Sequence, residues 1–308
     1  MDLNAGAVLA GASVGLIVGM TGAGGGALLT PILILFLGVK AKTAVSTDLV
    51  ATLFMRPVAG FLHARQGTVV PKIVMWLCVG SVPSAFIAGW ASHLVGSASH
   101  TKSLLAPFIA IALLASGSLA LGRRMWVARH PHKHPSGELR IRPVLTVLIG
   151  VCGGAIVGVT SVGSGTLMLV ALAALYPQLT TAQLVGTDLI QAIPMVAAAA
   201  LGHATGHDLH LSLTLSVVVG GVPGAFFGAL ISRRVAEAPL ATIVAIVILL
   251  SGAALLGWST GLPVAALLAL AAIGAIVYDR KTRKNLPPPG SVEDDPALAA
   301  IDTPSTLG

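Results

Sequence analysis

Charged residues are scarce in this chain, and their scarcity argues against a soluble protein. Only 9% of the 308 residues are Asp, Glu, Lys or Arg, whereas 55% are hydrophobic. Soluble domains carry about 25% charged residues. The composition therefore predicts a protein that crosses a membrane several times. Because the apolar runs are long and do not alternate with polar residues, helices are favoured over a transmembrane barrel.

Aromatic residues and cysteines are also few. Aromatics make up 4% of the chain, which contains 36 glycines. Small residues let membrane helices approach closely, so this balance favours a tightly packed helical bundle. Cys78 and Cys152 lie within apolar runs and are interpreted as reduced packing residues. The first residues lack the basic region of a signal peptide, so 4–20 is expected to persist as a helix.

The basic residues predict the orientation of the chain in the membrane. The net charge of +7 does not indicate a nucleic-acid partner, because Lys and Arg lie mainly between the apolar runs. Basic loops remain on the cytoplasmic side. The segment 123–142, the pair Arg233 and Arg234, and the residues 280–284 are therefore expected in the cytoplasm. This places the N-terminus outside and the C-terminus inside.

Apolar segments along the chain predict the helices. They are 4–20, 27–38, 43–62, 73–95, 103–122, 143–159, 166–176, 180–202, 211–231, 238–257 and 260–277. A helix needs about 20 residues to cross the hydrocarbon. The segments 27–38 and 166–176, which each follow a Gly/Ser-rich break, are too short. An even number of crossings must separate the cytoplasmic segment 123–142 from the cytoplasmic residues 280–284. Four full helices already lie between them. The stretch 143–176 is therefore predicted to be a re-entrant hairpin with the break at its tip.

The two halves of the chain are similar in sequence. "GLIVGMTGAGGGALL" at 15–29 aligns with "GAIVGVTSVGSGTLM" at 154–168, and "VSTDLV" at 45–50 aligns with "VGTDLI" at 185–190. Each copy is predicted to contain a hairpin and three full helices. Because three is an odd number of crossings, the second copy is inverted in the membrane relative to the first. Inverted repeats are typical of secondary transporters. The predicted fold class is thus an all-α polytopic membrane protein with two inverted repeats and one extra C-terminal helix.

These observations predict five regions. They are a first inverted repeat at 1–122, a basic cytoplasmic linker at 123–142, a second inverted repeat at 143–258, an extra transmembrane helix at 259–278 and a disordered cytoplasmic tail at 279–308. The linker contains His130, His132 and His134. A solvated basic loop is favoured over a metal site there, because no Cys or carboxylate accompanies the histidines.

The hairpin tips are the leading candidates for a binding site. A helix that restarts after a break has N–H groups without intrahelical partners and a partial positive charge. A bound anion satisfies both, and glycine lets the backbone approach it. The alternative is that the glycines only permit tight helix packing. The candidate residues are Thr21, Gly22, Gly24, Gly25, Gly26, Thr160, Ser161, Gly163, Ser164 and Gly165.

Arg56 lies deep in the third apolar segment, where a charge is expensive and usually functional. Its counterpart in the second copy is Val196, so the repeat does not require it. In one interpretation Arg56 binds a substrate anion by forked hydrogen bonds. In the other it pairs with Asp48 or Asp188 and extends toward the cytoplasmic face. Gln191 adds a polar group to the matching helix and is a further candidate for substrate binding.

Asp48 and Asp188 are the paired carboxylates of the two copies. Each follows a threonine, Thr47 or Thr187, near the start of a helix. In one interpretation they are first-turn residues that complement the helix dipole. In the other they carry protons or anchor Arg56.

His63 and His203 complete the candidate set. A histidine can carry protons near neutral pH. The favoured alternative is that each caps a helix end and faces the membrane interface. No nucleophile–base pair or metal cluster is recognisable, so no catalytic residue, metal or cofactor is predicted.

These motifs resemble the sulfite exporter TauE/SafE family, also called TSUP transporters. "GAGGGALLTPIL" at 22–33 and the Thr-Asp-Leu motif with its later histidine carry the resemblance, which covers about 4–277. In some members a basic residue follows the Asp by eight positions, as Arg56 follows Asp48. The resemblance implies a bacterial inner-membrane exporter of sulfur anions such as sulfite, sulfoacetate or other organosulfonates, with proton coupling. "SVGSG" at 161–165 departs from the usual Gly-rich run and leaves the substrate open.

A passive anion channel would have nearly the same sequence and remains an alternative to a carrier. The expected partners are a small anionic substrate, the lipid bilayer and a coupling proton. A homodimer is one candidate assembly, and no nucleic acid is expected.

Overall fold

The computed structural model describes residues 4–21, 26–96, 105–129, 139–205, 210–231 and 237–256. Within these ranges the chain forms ten helices and no strand, which confirms the all-helical prediction. The helices are α1 (Ala5–Thr21), α2 (Gly26–Leu35), α3 (Ala41–Arg65), α4 (Pro71–Gly96), α5 (Leu105–Arg129), α6 (Pro143–Thr160), α7 (Thr166–Leu175), α8 (Thr181–Ala204), α9 (Leu211–Ile231) and α10 (Glu237–Leu255).

Five of these helices are long and apolar enough to span a membrane, namely α4, α5, α6, α8 and α9. Large apolar side chains cover the outside of the bundle; Phe61 and Phe227 are 60% and 57% exposed. The two charged side chains in the middle of α3, Asp48 and Arg56, are both fully buried. An apolar exterior around a polar interior is the arrangement expected of a protein surrounded by lipid.

The two short helices begin where the sequence breaks predict. α2 and α7 are ten residues each, and α7 starts directly after Gly165. In the second break, residues 161–165, the chain turns sharply: Ser161 has a φ of 58° and Gly163 a φ of 104°. Both values lie in the left-handed region, which suits the glycine and is costly for the serine. α6 and α7 pack against each other across this break.

α5 continues further than the sequence predicts. Its apolar segment ends at Gly122, but the helix runs on to Arg129, inside the segment expected to be a loop. The residues after Gly122 favour helix and include neither Gly nor Pro before Pro131, so nothing in the sequence stops the helix. The histidines of the linker, the extra helix at 259–278 and the tail at 279–308 lie outside the described residues.

Glycines on four helices create two equivalent close contacts. α1 packs against α9, and α6, which matches α1 in the repeat, packs against α4, which matches α9. A Cβ added to Gly11 would collide with the carbonyl of Val217, and one added to Gly150 with the carbonyl of Leu77. Leu77 and Val217 are themselves aligned in the repeat. The same helix contact therefore occurs twice, and each time it joins a helix of one half to a helix of the other.

Candidate functional site

Three polar residues of α3 line up along one face of the helix. Asp48, Thr52 and Arg56 are spaced four residues apart, which places them above one another. All three side chains are buried, and α3 packs against α8, which carries Asp188 and Gln191. α3 is 25 residues long but is too polar to count among the apolar spans.

Arg56 joins α3 to the second break. Its Nη2 donates a hydrogen bond to the carbonyl oxygen of Ser164 at 3.1 Å and also contacts the Ser164 hydroxyl. The other two nitrogens, Nε and Nη1, have no hydrogen-bond partner among the described residues. Arg56 also interacts electrostatically with Asp188 and Asp48. Because the side chain is 0% exposed, the interpretation that it extends to the cytoplasmic face is wrong.

The Asp48 carboxylate is held by hydroxyl groups. The Thr30 hydroxyl on α2 donates to Oδ2 at 2.6 Å, and the Thr52 hydroxyl donates to Oδ1 at 3.1 Å. The Ser161 side chain in the second break interacts with the same carboxylate. Asp48 lies seven residues after Ala41, where α3 begins, so its interpretation as a first-turn residue is wrong.

Asp188 and Gln191 are neighbours on one face of α8. Asp188 is 1% exposed, and its Oδ1 has no hydrogen-bond partner in the part of the chain that the structure describes. Gln191 donates from Nε2 to the Ser81 hydroxyl of α4 at 2.6 Å, while its Oε1 is also without a partner there. α8 begins at Thr181, so Asp188 is not a first-turn residue either.

The second break uses one of its hydroxyl groups to hold its own backbone. Thr160 donates to the carbonyl oxygen of Ile156 at 2.7 Å and accepts a hydrogen bond from the Val162 N–H at 3.1 Å. This hydroxyl therefore stabilises the turn. Gly165 precedes α7 without a side-chain cap, so the first N–H groups of α7 rely on partners outside the helix. Ser164 lies two residues before α7 and accepts a hydrogen bond from Arg56, so these N–H groups begin close to the guanidinium.

Comparison with known proteins identifies the family. The sequence profile of the family "Sulfite exporter TauE/SafE" matches residues 7–255. The chain belongs to this family. It is 36% identical over 253 residues to the "Probable membrane transporter protein YjnA" of Bacillus subtilis (strain 168), which covers 80% of this chain and 96% of the relative. It is 25% identical over 219 residues to the "Probable membrane transporter protein YdhB" of the same organism, covering 70% and 85%.

No solved structure matches the chain. The family and the apolar helices together identify this TauE/SafE protein as a multi-pass membrane transporter, which confirms the resemblance inferred from the sequence. The names of its relatives give no substrate.

The threonines before the two aspartates join helices in this TauE/SafE protein and do not reach the arginine. Thr187 Oγ1 accepts a hydrogen bond from the Val70 N–H at 3.1 Å, just before α4. Thr47 Oγ1 lies 3.4 Å from Thr214 Oγ1 on α9. Thr187 thus contacts the residue just before α4, and Thr47 contacts the first turn of α9, which aligns with α4 in the repeat.

His203 is buried in the bundle. It is 1% exposed; its Nε2 lies 2.8 Å from the Gly158 carbonyl oxygen and its Nδ1 lies 3.4 Å from the Ser92 hydroxyl. The interpretation that it faces the membrane interface is therefore wrong. Gly26 begins α2, whereas Gly22, Gly24, Gly25 and the side chains of Thr21 and His63 lie outside the described residues.

Several members of this TauE/SafE site are not among the residues that the sequence predicts. Thr30, Thr52 and Ser81 hold the polar side chains described above, and the Ser116 hydroxyl on α5 contacts that of Thr166 at the start of α7. Only Thr52 had a detectable signal, because it follows Asp48 by four residues on the same helix. The others come from different helices, so spacing alone does not reveal them.

Proposed function

We propose that this TauE/SafE protein is a secondary transporter that exports sulfur-containing anions such as sulfite, sulfoacetate or other organosulfonates. The observation that carries the proposal is the buried Arg56 guanidinium, which uses Nη2 on Ser164 and leaves Nε and Nη1 without described partners. A guanidinium donates in a planar fork to two oxygens of one anion. Sulfite and sulfonates present three such oxygens.

The second break supplies further donors for the same anion. Ser164 fixes the guanidinium beside the break, and the uncapped start of α7 adds backbone N–H groups and a partial positive charge. The corresponding start of α2 completes the site from the first repeat. In this proposal the two inverted repeats rock around an anion at the membrane midplane, as in other carriers built from such repeats.

The charges of the site argue for proton coupling. Arg56 is surrounded by two aspartates, so the buried group carries a net negative charge when all three are ionised. Adding an anion to such a group inside the bilayer is strongly unfavourable. A proton that binds together with the anion removes this cost.

The proposal places the protein in a bacterial inner membrane with the N-terminus outside and the C-terminus in the cytoplasm. The basic segments at 123–142 and 280–284 support this orientation.

Two experiments test the proposed function. Purified protein is screened by thermal shift with sulfite, sulfate, thiosulfate, taurine and sulfoacetate, because a ligand of the folded state raises the melting temperature. Proteoliposomes then take up labelled sulfite or sulfoacetate. Saturable flux with counterflow exchange supports a carrier, whereas flux that stays linear with concentration and shows no exchange identifies a channel. Flux no greater than in empty liposomes for every sulfur anion would refute the proposal.

A further inference from the structure

The two repeat-related aspartates have different surroundings. Both oxygens of Asp48 accept a hydroxyl hydrogen bond, from Thr30 at 2.6 Å and from Thr52 at 3.1 Å. Asp188 has one oxygen, Oδ1, with no hydrogen-bond partner among the described residues, although it is equally buried. An ionised carboxylate in such a place lacks the donors that its charge requires.

The repeat alignment shows why the two sites differ. Thr30 aligns with Leu169, and Thr52 aligns with Ala192, so both hydroxyl donors of Asp48 have apolar counterparts in the second copy. Leu169 is 7% exposed and Ala192 is 0% exposed. Each aspartate follows a threonine and precedes a leucine. The local sequence is thus shared, and only the neighbouring side chains distinguish them.

One charged group faces Asp188 from the helices that pack against α8. That group is Arg56 on α3, which Asp188 shares with Asp48. α6 and α7 contain no Asp, Glu, Lys, Arg or His, and α4 has Lys72 in its first turn and His93 near its end. On α8 itself, the Gln191 Oε1 has no hydrogen-bond partner within the described ranges, and His203 lies four turns further along the helix.

We infer that Asp188 takes up and releases the coupling proton, while Asp48 stays ionised and holds Arg56. The inference rests on the proposed function. A proton from one compartment binds the Asp188 carboxylate and gives the neutral acid. The anion then occupies Arg56 Nε and Nη1 in place of the lost negative charge. After reorientation the anion leaves, and the same proton is released into the second compartment.

This scheme moves one proton with each anion and in the same direction. Export is therefore driven by the outward gradient of the anion. For a monovalent anion the cycle transfers no net charge, so the membrane potential does not drive it.

Proteoliposomes that contain a pH-sensitive dye test the inference, with sulfoacetate as the probe. Its sulfonate and carboxylate groups are both ionised near neutral pH, so the protons that move are not released from the probe. In the wild-type protein a sulfoacetate gradient should move protons in the same direction. Asp188→Asn should retain counterflow exchange of sulfoacetate but lose the proton movement. His210→Ala, at an exposed position before α9, is the control and should retain both the exchange and the proton movement.

A second variant covers the case in which Asp188→Asn does not fold. Leu169→Thr combined with Ala192→Thr gives Asp188 the hydroxyl donors that Asp48 has. Because such donors favour an ionised carboxylate, proton-coupled transport should then require a more acidic solution.

The results separate the inference from the proposed function. Wild-type sulfoacetate transport without proton movement would overturn the inference and leave the proposed function intact. Proton movement that persists in Asp188→Asn, or an unchanged pH dependence in the double variant, would also overturn it. A wild-type protein that moves neither sulfoacetate nor protons would refute both.

Discussion

Arg56 on α3 donates a hydrogen bond to the carbonyl oxygen of Ser164, which lies 108 residues further along the chain. The guanidinium of Arg56, in the first half of the chain, is thus held in place by the break at 161–165 in the second half. Since Arg56 has no counterpart in the repeat, the site has a single guanidinium that both halves hold. Movement of one half against the other would change the position of this contact directly.

Replacing Arg56 tests its role in anion binding. Arg56→Ala should weaken binding of sulfite or sulfoacetate by about 2 kcal/mol or more, roughly 30-fold in Kd, because it removes a buried charged donor. Arg56→Lys should restore only part of the affinity, since an ammonium group lacks the planar fork. Ligand-induced thermal shifts and the concentration dependence of flux in proteoliposomes measure both effects.

Arg65 is the matched control for this substitution. It lies at the end of the same helix, is exposed, and stacks on the Phe61 ring at 4.5 Å. Arg65→Ala should leave ligand affinity unchanged. Wild-type flux and affinity in Arg56→Ala would remove Arg56 from the binding site.

Thr30 is expected to contribute to folding stability through Asp48. Thr30→Val removes the 2.6 Å hydrogen bond to a buried carboxylate and keeps the side-chain volume. The free energy of unfolding should fall by about 1.5–3 kcal/mol, the range for hydrogen bonds to charged groups. Ser13→Ala, which removes an exposed hydroxyl bonded to Leu9, should change it by less than about 0.5 kcal/mol. Denaturation in detergent compares the two variants, and equal values would argue against a structural role for Thr30.

The close helix contacts predict that alanine is harmful at Gly154. A Cβ there would collide with the Ser81 carbonyl and the Ser84 side chain. Gly154→Ala should therefore lower the free energy of unfolding by about 1–3 kcal/mol, despite the better helix propensity of alanine. A Cβ added to Gly122 in α5 would meet no atom of the described part of the chain within 4 Å, so Gly122→Ala should raise stability by about 0.5–1 kcal/mol. Thermal unfolding in detergent shows whether the two changes have opposite signs, as this packing requires.

The burial of His203 predicts a structural role. His203→Ala leaves the Gly158 carbonyl without its side-chain partner and should lower the free energy of unfolding by about 1–3 kcal/mol. Proton movement in the remaining folded protein should persist, because the inference assigns the coupling proton to Asp188. His210→Ala, at an exposed position before α9, is the control and should be neutral. A His203 variant that is stable but uncoupled would show that the histidine carries protons.

The sequence alone determined the approximate positions of the described helices and the family. Because each membrane helix satisfies its own backbone hydrogen bonds, apolar length and Gly-rich interruptions mark the segments directly. α2 and α7 begin at or next to the predicted positions Gly26 and Gly165. The cost of a charge in lipid also singled out Arg56 without any structure.

Only the tertiary structure decided what surrounds each polar side chain. Asp48 and Asp188 lie in the same Thr-Asp-Leu motif, yet Thr30 holds one and nothing described holds Oδ1 of the other. His203 likewise has the sequence context of a helix end but is buried against Gly158. These differences arise from contacts between helices distant in sequence, and such contacts depend on packing that local pattern does not encode.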